Sequence, residues 1–245
     1  MTFDPLNPPK IVVIIPAYNE AQSIGLVLAE IPAIVSEVIV VNNRSTDETV
    51  AVAEKAGAKV LTENKMGYGH ACLKGMAYVA QMEKLPEIIV FLDGDYSDFP
   101  EELLDLVAPI TNDGYDFVVG ARKKALREAG SMTPQQVFGN ALACTLMKLF
   151  FRATFTDLGP FRAIKYKRLL DMNMSDTTYG WTVEMQLKAL RNRLKYKEIG
   201  VRYKKRIGVS KVSGTVKGTI FAGVKILGWI FKYSLLFISN RFKQN

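Results

Sequence analysis

"IIVFLDGDYSD", residues 88–98, carries five consecutive apolar residues, Ile88 to Leu92, straight into three carboxylates at Asp93, Asp95 and Asp98. An apolar run rich in Ile and Val predicts a strand buried on both faces, the kind found in parallel sheets. Carboxylates crowded at its end repel one another unless a cation or a solvated turn accommodates them. Asp93 and Asp95, flanking Gly94, can aim their oxygens at one hard divalent ion. Mg2+ and Mn2+ take such ligands and commonly share them with substrate phosphates. A polar Asp-Gly turn fits the same residues, so the neighbouring segments decide.

Further apolar strands are predicted in "KIVVIIPAYNE" (10–20, ending at Pro16), "SEVIVVNN" (36–43), "AKVLTEN" (58–64) and "YDFVVGAR" (115–122). Between them, amphipathic patterns predict helices over roughly 21–31, 46–56, 69–82 and 100–109. Ser45 and Glu48 have capping-box spacing, and Gly57 suits a helix stop. This alternation predicts an α/β fold: a mostly parallel central sheet with helices on both faces. Ligands of such sheets collect at the carboxyl ends of the strands. The residues there, "PAYNE" (16–20), "NNRSTD" (42–47), "ENKMGYG" (63–69), "DGDYSD" (93–98) and "GARKK" (120–124), are polar and are expected to converge on one edge. Downstream, the pattern predicts helices at 134–151 and near 181–193, a strand near 161–165, and an edge strand in "LKYKEIGVRYKKR" (194–206).

A chain of 245 residues suffices for one large domain with an appendage. The division expected is a main α/β domain over 1–210 and a C-terminal amphipathic helical segment over 211–245. Cys72 and Cys144 lie in helical patterns without metal-ligand spacing and are expected to be buried thiols. The single His70 is expected in a loop or packing role. The start "MTFDPLNPPK" lacks a basic segment followed by an apolar core, so a cytoplasmic location is expected. No 18-residue stretch is both free of charge and continuously apolar, which argues against a spanning helix. Residues 1–120 hold 18 acidic and 7 basic side chains, whereas residues 121–245 hold 6 acidic and 25 basic. A second half so basic suits an anionic partner.

Taken in order, "VVIIPAYNE", "NNRSTDET", "NKMGYGHACLKG", "DGDYSD", "VVGAR", "DLGPFRAI", "YGWTVEM" and "RIGVSK" resemble the inverting family 2 glycosyltransferases. These have the GT-A nucleotide-sugar-binding fold, and within them the likeness is greatest to polyprenyl (dolichyl) phosphate sugar transferases. The resemblance implies that Pro16, Ala17, Tyr18 and Glu20 line the nucleotide pocket, Tyr18 near the base or ribose and Glu20 accepting ribose hydroxyls. Asn43 stands where the family has the second Asp of an Asp-Asp-Gly-Ser motif, and an amide there can still pair with a base edge. Lys65 and Gly67 would approach the nucleotide from the third strand end. Asp93 and Asp95 would take the ribose and metal roles, with Mg2+ or Mn2+ as the cofactor. Ser97 replaces the Gln or His of related enzymes, leaving water or Asp98 to complete the shell. Arg122 would meet an acceptor phosphate.

Lys188 to Lys217 contain 11 Lys/Arg and one acid, Glu198. Arg202, Arg206 and Lys211 are candidates for a clamp on the donor diphosphate, since guanidinium groups offer paired donors in a plane. The C-terminal run from Gly218 to Ser239 is interrupted by Lys225 and Lys232. An amphipathic helix at the membrane interface, lysines at headgroup level, is expected there.

The reaction implied is metal-dependent transfer of one sugar from a UDP- or GDP-linked donor, with inversion. Polyprenyl phosphate at the inner membrane face is the favoured acceptor and needs no general base. A hydroxyl acceptor needs one, for which Asp157 and Glu184 are the candidates. "TPQQVFGN" has Gln135 and Gln136 where lipid-phosphate transferases often carry a further arginine, so a soluble phosphorylated acceptor or sugar stays open. An inactive membrane-associated sugar-nucleotide binder is the non-enzyme alternative, and homo-oligomers are open. A dehydrogenase is disfavoured by the missing G-x-G-x-x-G after the first strand. Nucleic acid is disfavoured because it gives no reason for an acidic cluster at a strand end.

Overall fold

The computed structural model describes residues 8–208 and 216–242. Its elements are β1 (Ile11–Ala17), α1 (Ile24–Ala29), β2 (Val35–Asn42), α2 (Thr49–Lys55), β3 (Lys59–Thr62), α3 (Tyr68–Val79), β4 (Ile88–Phe91), α4 (Leu103–Asn112), β5 (Phe117–Ala121), α5 (Pro134–Phe151), β6 (Arg162–Lys165), α6 (Tyr166–Met172), α7 (Trp181–Arg191), β7 (Tyr196–Gly200) and α8 (Val216–Phe242). The strands form one seven-stranded sheet in the order β3-β2-β1-β4-β6-β5-β7. Among the described strands only β6 runs antiparallel to its neighbours. The α/β, mostly parallel architecture with helices on both faces is as predicted.

Strand β1 shows why the sheet must be covered twice. Ile11 to Ile15 are all fully buried, and alternate side chains enter opposite cores. Val12 and Ile14 pack with α3, α5, α7 and α8; Ile11, Val13 and Ile15 pack with α1, α2 and α4. Each such side chain contributes about 1.5–3 kcal/mol on burial. The chain steps from β1 outward through β2 and β3, then returns to β4 on β1's other side. The ends of β1 and β4 thereby flank the crevice where ligands of such sheets bind.

One local expectation changes. The capping box at Ser45 and Glu48 does not form: the Thr49 amide donates to Asp47 Oδ1 (3.1 Å). Ser45 Oγ instead accepts from the Asn19 amide (3.0 Å), and Asn19 Oδ1 accepts from Thr46 N (2.7 Å). The loops after β1 and β2 are thus cross-braced, and that competing pull overrides the local cap. A capping box does form at Thr133 and Gln136, with Pro134 opening α5, a spacing present in the sequence. Strand β7 lies at the sheet edge, as predicted, and pairs parallel with β5.

The C-terminal helix is part of the fold on one side. In α8, Ile230, Tyr233 and Ser234 are buried against the domain, so Ile230 belongs to the core and not to an outward apolar face. Lys225 reaches Asp176 (3.2 Å), and Trp229 Nε1 donates to the same carboxylate (2.6 Å). Among the described residues no helix is long and apolar enough to cross a membrane.

Candidate active site

Two cavities meet at the tip of β4. One, of about 320 Å³, is lined by Pro16, Ala17, Tyr18, Glu20, Asn43 and Gly67 from the first three strand ends. The other, of about 340 Å³, runs past Arg122 and Trp181 between α5 and α8. Tyr68, Asp93, Asp95, Tyr179 and Arg206 line both. The strand-end segments therefore converge as expected, and a second opening meets them from the far side.

The carboxylates at the junction differ. Burial, then repulsion by Asp95, pushes Asp93 up to about 7, although the Tyr68 hydroxyl donates to its Oδ1 (3.0 Å). Asp95 Oδ1 accepts from the Ser97 amide (2.9 Å) and hydroxyl, so Ser97 braces Asp95 and does not offer itself as a ligand. Asp98 is buried, and neither of its carboxylate oxygens has a hydrogen-bond partner among the described residues. Burial first, then Asp93 and Asp95, raise it well above the carboxylate range. Among the described residues no three acidic, His or Cys groups are placed to hold an ion. Two carboxylates with oxygen ligands left to phosphate and water fit Mg2+ or Mn2+. Positive charge placed beside the pair relieves their repulsion.

Arg206 supplies one such charge. Its guanidinium spans the junction, 3.1 Å from Asp95 Oδ2 and 3.1 Å from Glu20 Oε1. Its Nε is buried with no partner among the described residues, a donor left over. Backbone bonds from Lys204 N to Ser97 O (2.9 Å) and Ile207 N to Asp95 O (3.0 Å) lay this segment on the acidic loop.

Asn43 is committed to the loop that carries Lys65 and Gly67. Its amide donates to the carbonyls of Glu63 (3.1 Å) and Lys65 (2.8 Å), while Oδ1 accepts from Gly67 N (2.8 Å). It cannot offer a donor to a base; only one lone pair of Oδ1 remains. The Lys65 side chain is exposed and does not line the cavity. Gly67 has φ +146°, and a Cβ there would collide with the Thr177 carbonyl. His70 donates its amide to the same carbonyl (3.0 Å). The segment 175–180 thus packs on the start of α3, and Asp176 ties it to α8.

Three assignments change with the geometry. Arg202 lines neither cavity: it is bonded to Glu101 (2.7 Å) and Glu102 and lies over Phe99. Extended backbone alternates, so Val201 and Tyr203 point inward while Arg202 points out. Glu184 is fully buried and accepts from Ser175 N (3.0 Å) and Asp176 N (2.8 Å), with Lys188 at 2.8 Å. It holds the 175–180 segment and reaches no cavity. Asp157 forms a two-pronged pair with Arg122, Oδ2 to Nε 2.8 Å and Oδ1 to Nη2 2.6 Å, and also accepts the Arg122 amide. Burial alone would raise Asp157, but the Arg122 contacts outweigh it and hold the carboxyl low, which makes it a poor proton acceptor. Lys211 lies outside the described residues.

Several lining residues were not singled out from sequence. Tyr68, Tyr179, Trp181 and Tyr203 border the junction. Arg162 is wholly buried, donating to the carbonyls of Gly159 (3.1 Å) and Thr182 (2.9 Å). Burial brings its pKa down to about 10, against the pull of Tyr68 and Asp157. Cys72 and Cys144 are free and buried as expected.

Known proteins of the same kind bear on this geometry. The profile of Glycosyl transferase family 2 matches residues 12–203. An uncharacterized glycosyltransferase of Mycobacterium tuberculosis is 33% identical over 214 residues, covering 86% of this chain and 94% of that protein. A dolichyl-phosphate hexose transferase of Haloferax volcanii is 31% identical, covering 86% and 88%. An undecaprenyl-phosphate mannosyltransferase of Micrococcus luteus is 28% identical, covering 90% and 93%. Among solved structures, glucosyl-3-phosphoglycerate synthase from M. tuberculosis, in complex with Mn2+, UDP and phosphoglyceric acid, has the same fold. It superposes with TM-score 0.72 at 18% identity, covering 92% of this chain and 78% of that one. With its GT-A-like sheet, strand-end cavity and matching profile, this chain belongs to glycosyl transferase family 2, a family of glycosyltransferases.

Proposed function

We propose that the protein transfers a hexose, with inversion, from a UDP- or GDP-linked donor to a polyprenyl phosphate. One observation carries this reading: the strand-end cavity and the α5/α8 cavity share Asp93, Asp95 and Arg206, and the second combines Arg122 with apolar walls from Leu142, Ile226 and Leu227. The first cavity takes the nucleotide, with Tyr18 and Asn43 toward the base and Glu20 toward the ribose. Asp95, with Asp93, would hold Mg2+ or Mn2+, which supplies charge stabilisation to the departing diphosphate. Arg206 turns from Asp95 to the diphosphate oxygens, adding aligned positive charge where negative charge builds. Arg122 holds the acceptor phosphate. Asp157 keeps that guanidinium charged and oriented, so neither Asp157 nor the buried Glu184 is free to serve as a base. A phosphate acceptor requires none, because it is already an anionic nucleophile.

The test is to incubate the full chain with Mn2+ and labelled UDP- and GDP-hexoses, offering either undecaprenyl phosphate or a soluble phosphorylated acid. The reading expects lipid-linked hexose, lost in Asp95→Asn. Product only on the soluble acid, a compound of the kind bound in the M. tuberculosis synthase, would replace the lipid acceptor.

A further inference from the structure

We infer that α5 and α8 together form the face by which the protein docks on an anionic bilayer, placing the mouth of the acceptor cavity against the lipid. The inference rests on the lipid-phosphate reading above. Its starting point is surface that the fold leaves uncovered. On α5, Phe138 and Leu149 are 70% and 71% exposed; on α8, Phe221, Val224, Phe231 and Leu235 are each at least half exposed. Such side chains crowded on two neighbouring helices mark an interaction surface.

Helical geometry puts them on one face. With 100° per residue, Phe231, Val224, Leu235 and Phe221 fall on one arc of α8, opposite the buried Ile230 and Tyr233. Phe150 of α5 meets Phe231 of α8, ring centres 5.9 Å apart, so that arc abuts α5. On α5, Phe138 and Leu149 lie on the side opposite the buried Cys144 and Met147. The two apolar arcs are adjacent. Leu142 belongs to both the exposed arc of α5 and the lining of the cavity, so the cavity opens onto the same surface.

Charge selects the occupant. Neither helix contains an Asp or Glu. Lys148 and Arg152 lie beyond the apolar arc on the α5 side; Lys225 and Lys232 lie beyond it on the α8 side. Lys232 also rests over the Trp229 ring, and Lys225 also pairs with Asp176. An apolar centre between two cationic rims matches acyl chains beneath anionic headgroups, with lysines reaching outward. A second copy of the chain would bring like charges together across such an interface and would close the cavity mouth.

The experiment is flotation of the full chain with vesicles of phosphatidylcholine alone or mixed 7:3 with phosphatidylglycerol. Wild type is expected to float with the mixed vesicles. Leu149→Glu and Phe221→Glu should each weaken that binding about tenfold or more, with UDP affinity unchanged as proof of folding. Lys148→Glu with Lys232→Glu should remove the preference for the anionic mixture. Wild type that stays off both vesicles, or glutamate variants that float like wild type, would overturn the proposal. So would a dimer, seen by light scattering, that the same variants dissociate while vesicles capture nothing. Vesicle binding by wild type that depends on these residues, without lipid-linked hexose product, would support the docking face and overturn the acceptor reading instead.

Discussion

Replacing Arg206 with Met separates the two jobs assigned to that side chain. Its guanidinium lies 3.1 Å from both Asp95 and Glu20, so an ion entering at Asp95 must first displace it. Unit charges about 4 Å apart attract by ~4 kcal/mol near a protein surface. Arg206 keeps some contact with water, and a charged hydrogen bond nets about 1.5–3 kcal/mol. Taking the lower value, Arg206→Met should bind Mn2+ alone roughly tenfold more tightly than wild type. With UDP present the sign reverses: a diphosphate that has lost a guanidinium contact should bind roughly ten- to a hundredfold more weakly. Calorimetric titration of Mn2+, and then of UDP at saturating Mn2+, measures both. Unchanged or weaker Mn2+ binding in the variant would refute the idea that Arg206 stands in for the ion.

Other outcomes follow from the buried charges. Asp157→Asn strands Arg122 in a buried setting, which should destabilise the fold by about 3–5 kcal/mol in urea unfolding. Its carboxyl is held low, so its stabilising effect is present above the ordinary carboxylate range and is lost as pH falls; the wild-type-to-variant gap should shrink in acid. Asp93 has the opposite sign. Raised to about 7, it holds a proton below that pH, so Mn2+ affinity should rise about tenfold per pH unit up to 7 and then level off. A flat profile between pH 5.5 and 7 would contradict it. Without metal, the same shift makes Asp93 favour folding in acid, an advantage lost as pH climbs through 7.

The sheet was legible because its strands are short apolar runs that end abruptly in polar residues; Ile88 to Asp95 is the clearest case. The long helix over 134–151 was legible too. What escaped depended on contacts distant in sequence. Nothing near Asp157 says that Arg122, 35 residues away, will take both of its oxygens. Arg202 and Arg206 look alike in a basic run, and four residues apart they would share one side of an extended chain; only the backbone bonds of Lys204 and Ile207 onto the acidic loop bring the second over the site while the first pairs with Glu101 and Glu102. Glu184 carried a readable hint, an acid in the first turn of a helix, where carboxylates commonly hold amides. Asn43 could be read as a base-pairing amide until its hydrogens were found on Glu63 and Lys65.

Catalysis as proposed needs an ion held by Asp95 and Asp93 that grips a diphosphate. Calorimetric titration of UDP and GDP into the full chain, with Mn2+ and then with EDTA, measures this directly. Uptake of at least one nucleotide at least tenfold tighter with Mn2+, and abolished in Asp95→Asn, is the predicted result. Equal affinity with and without the metal, or no uptake of either nucleotide, would contradict it.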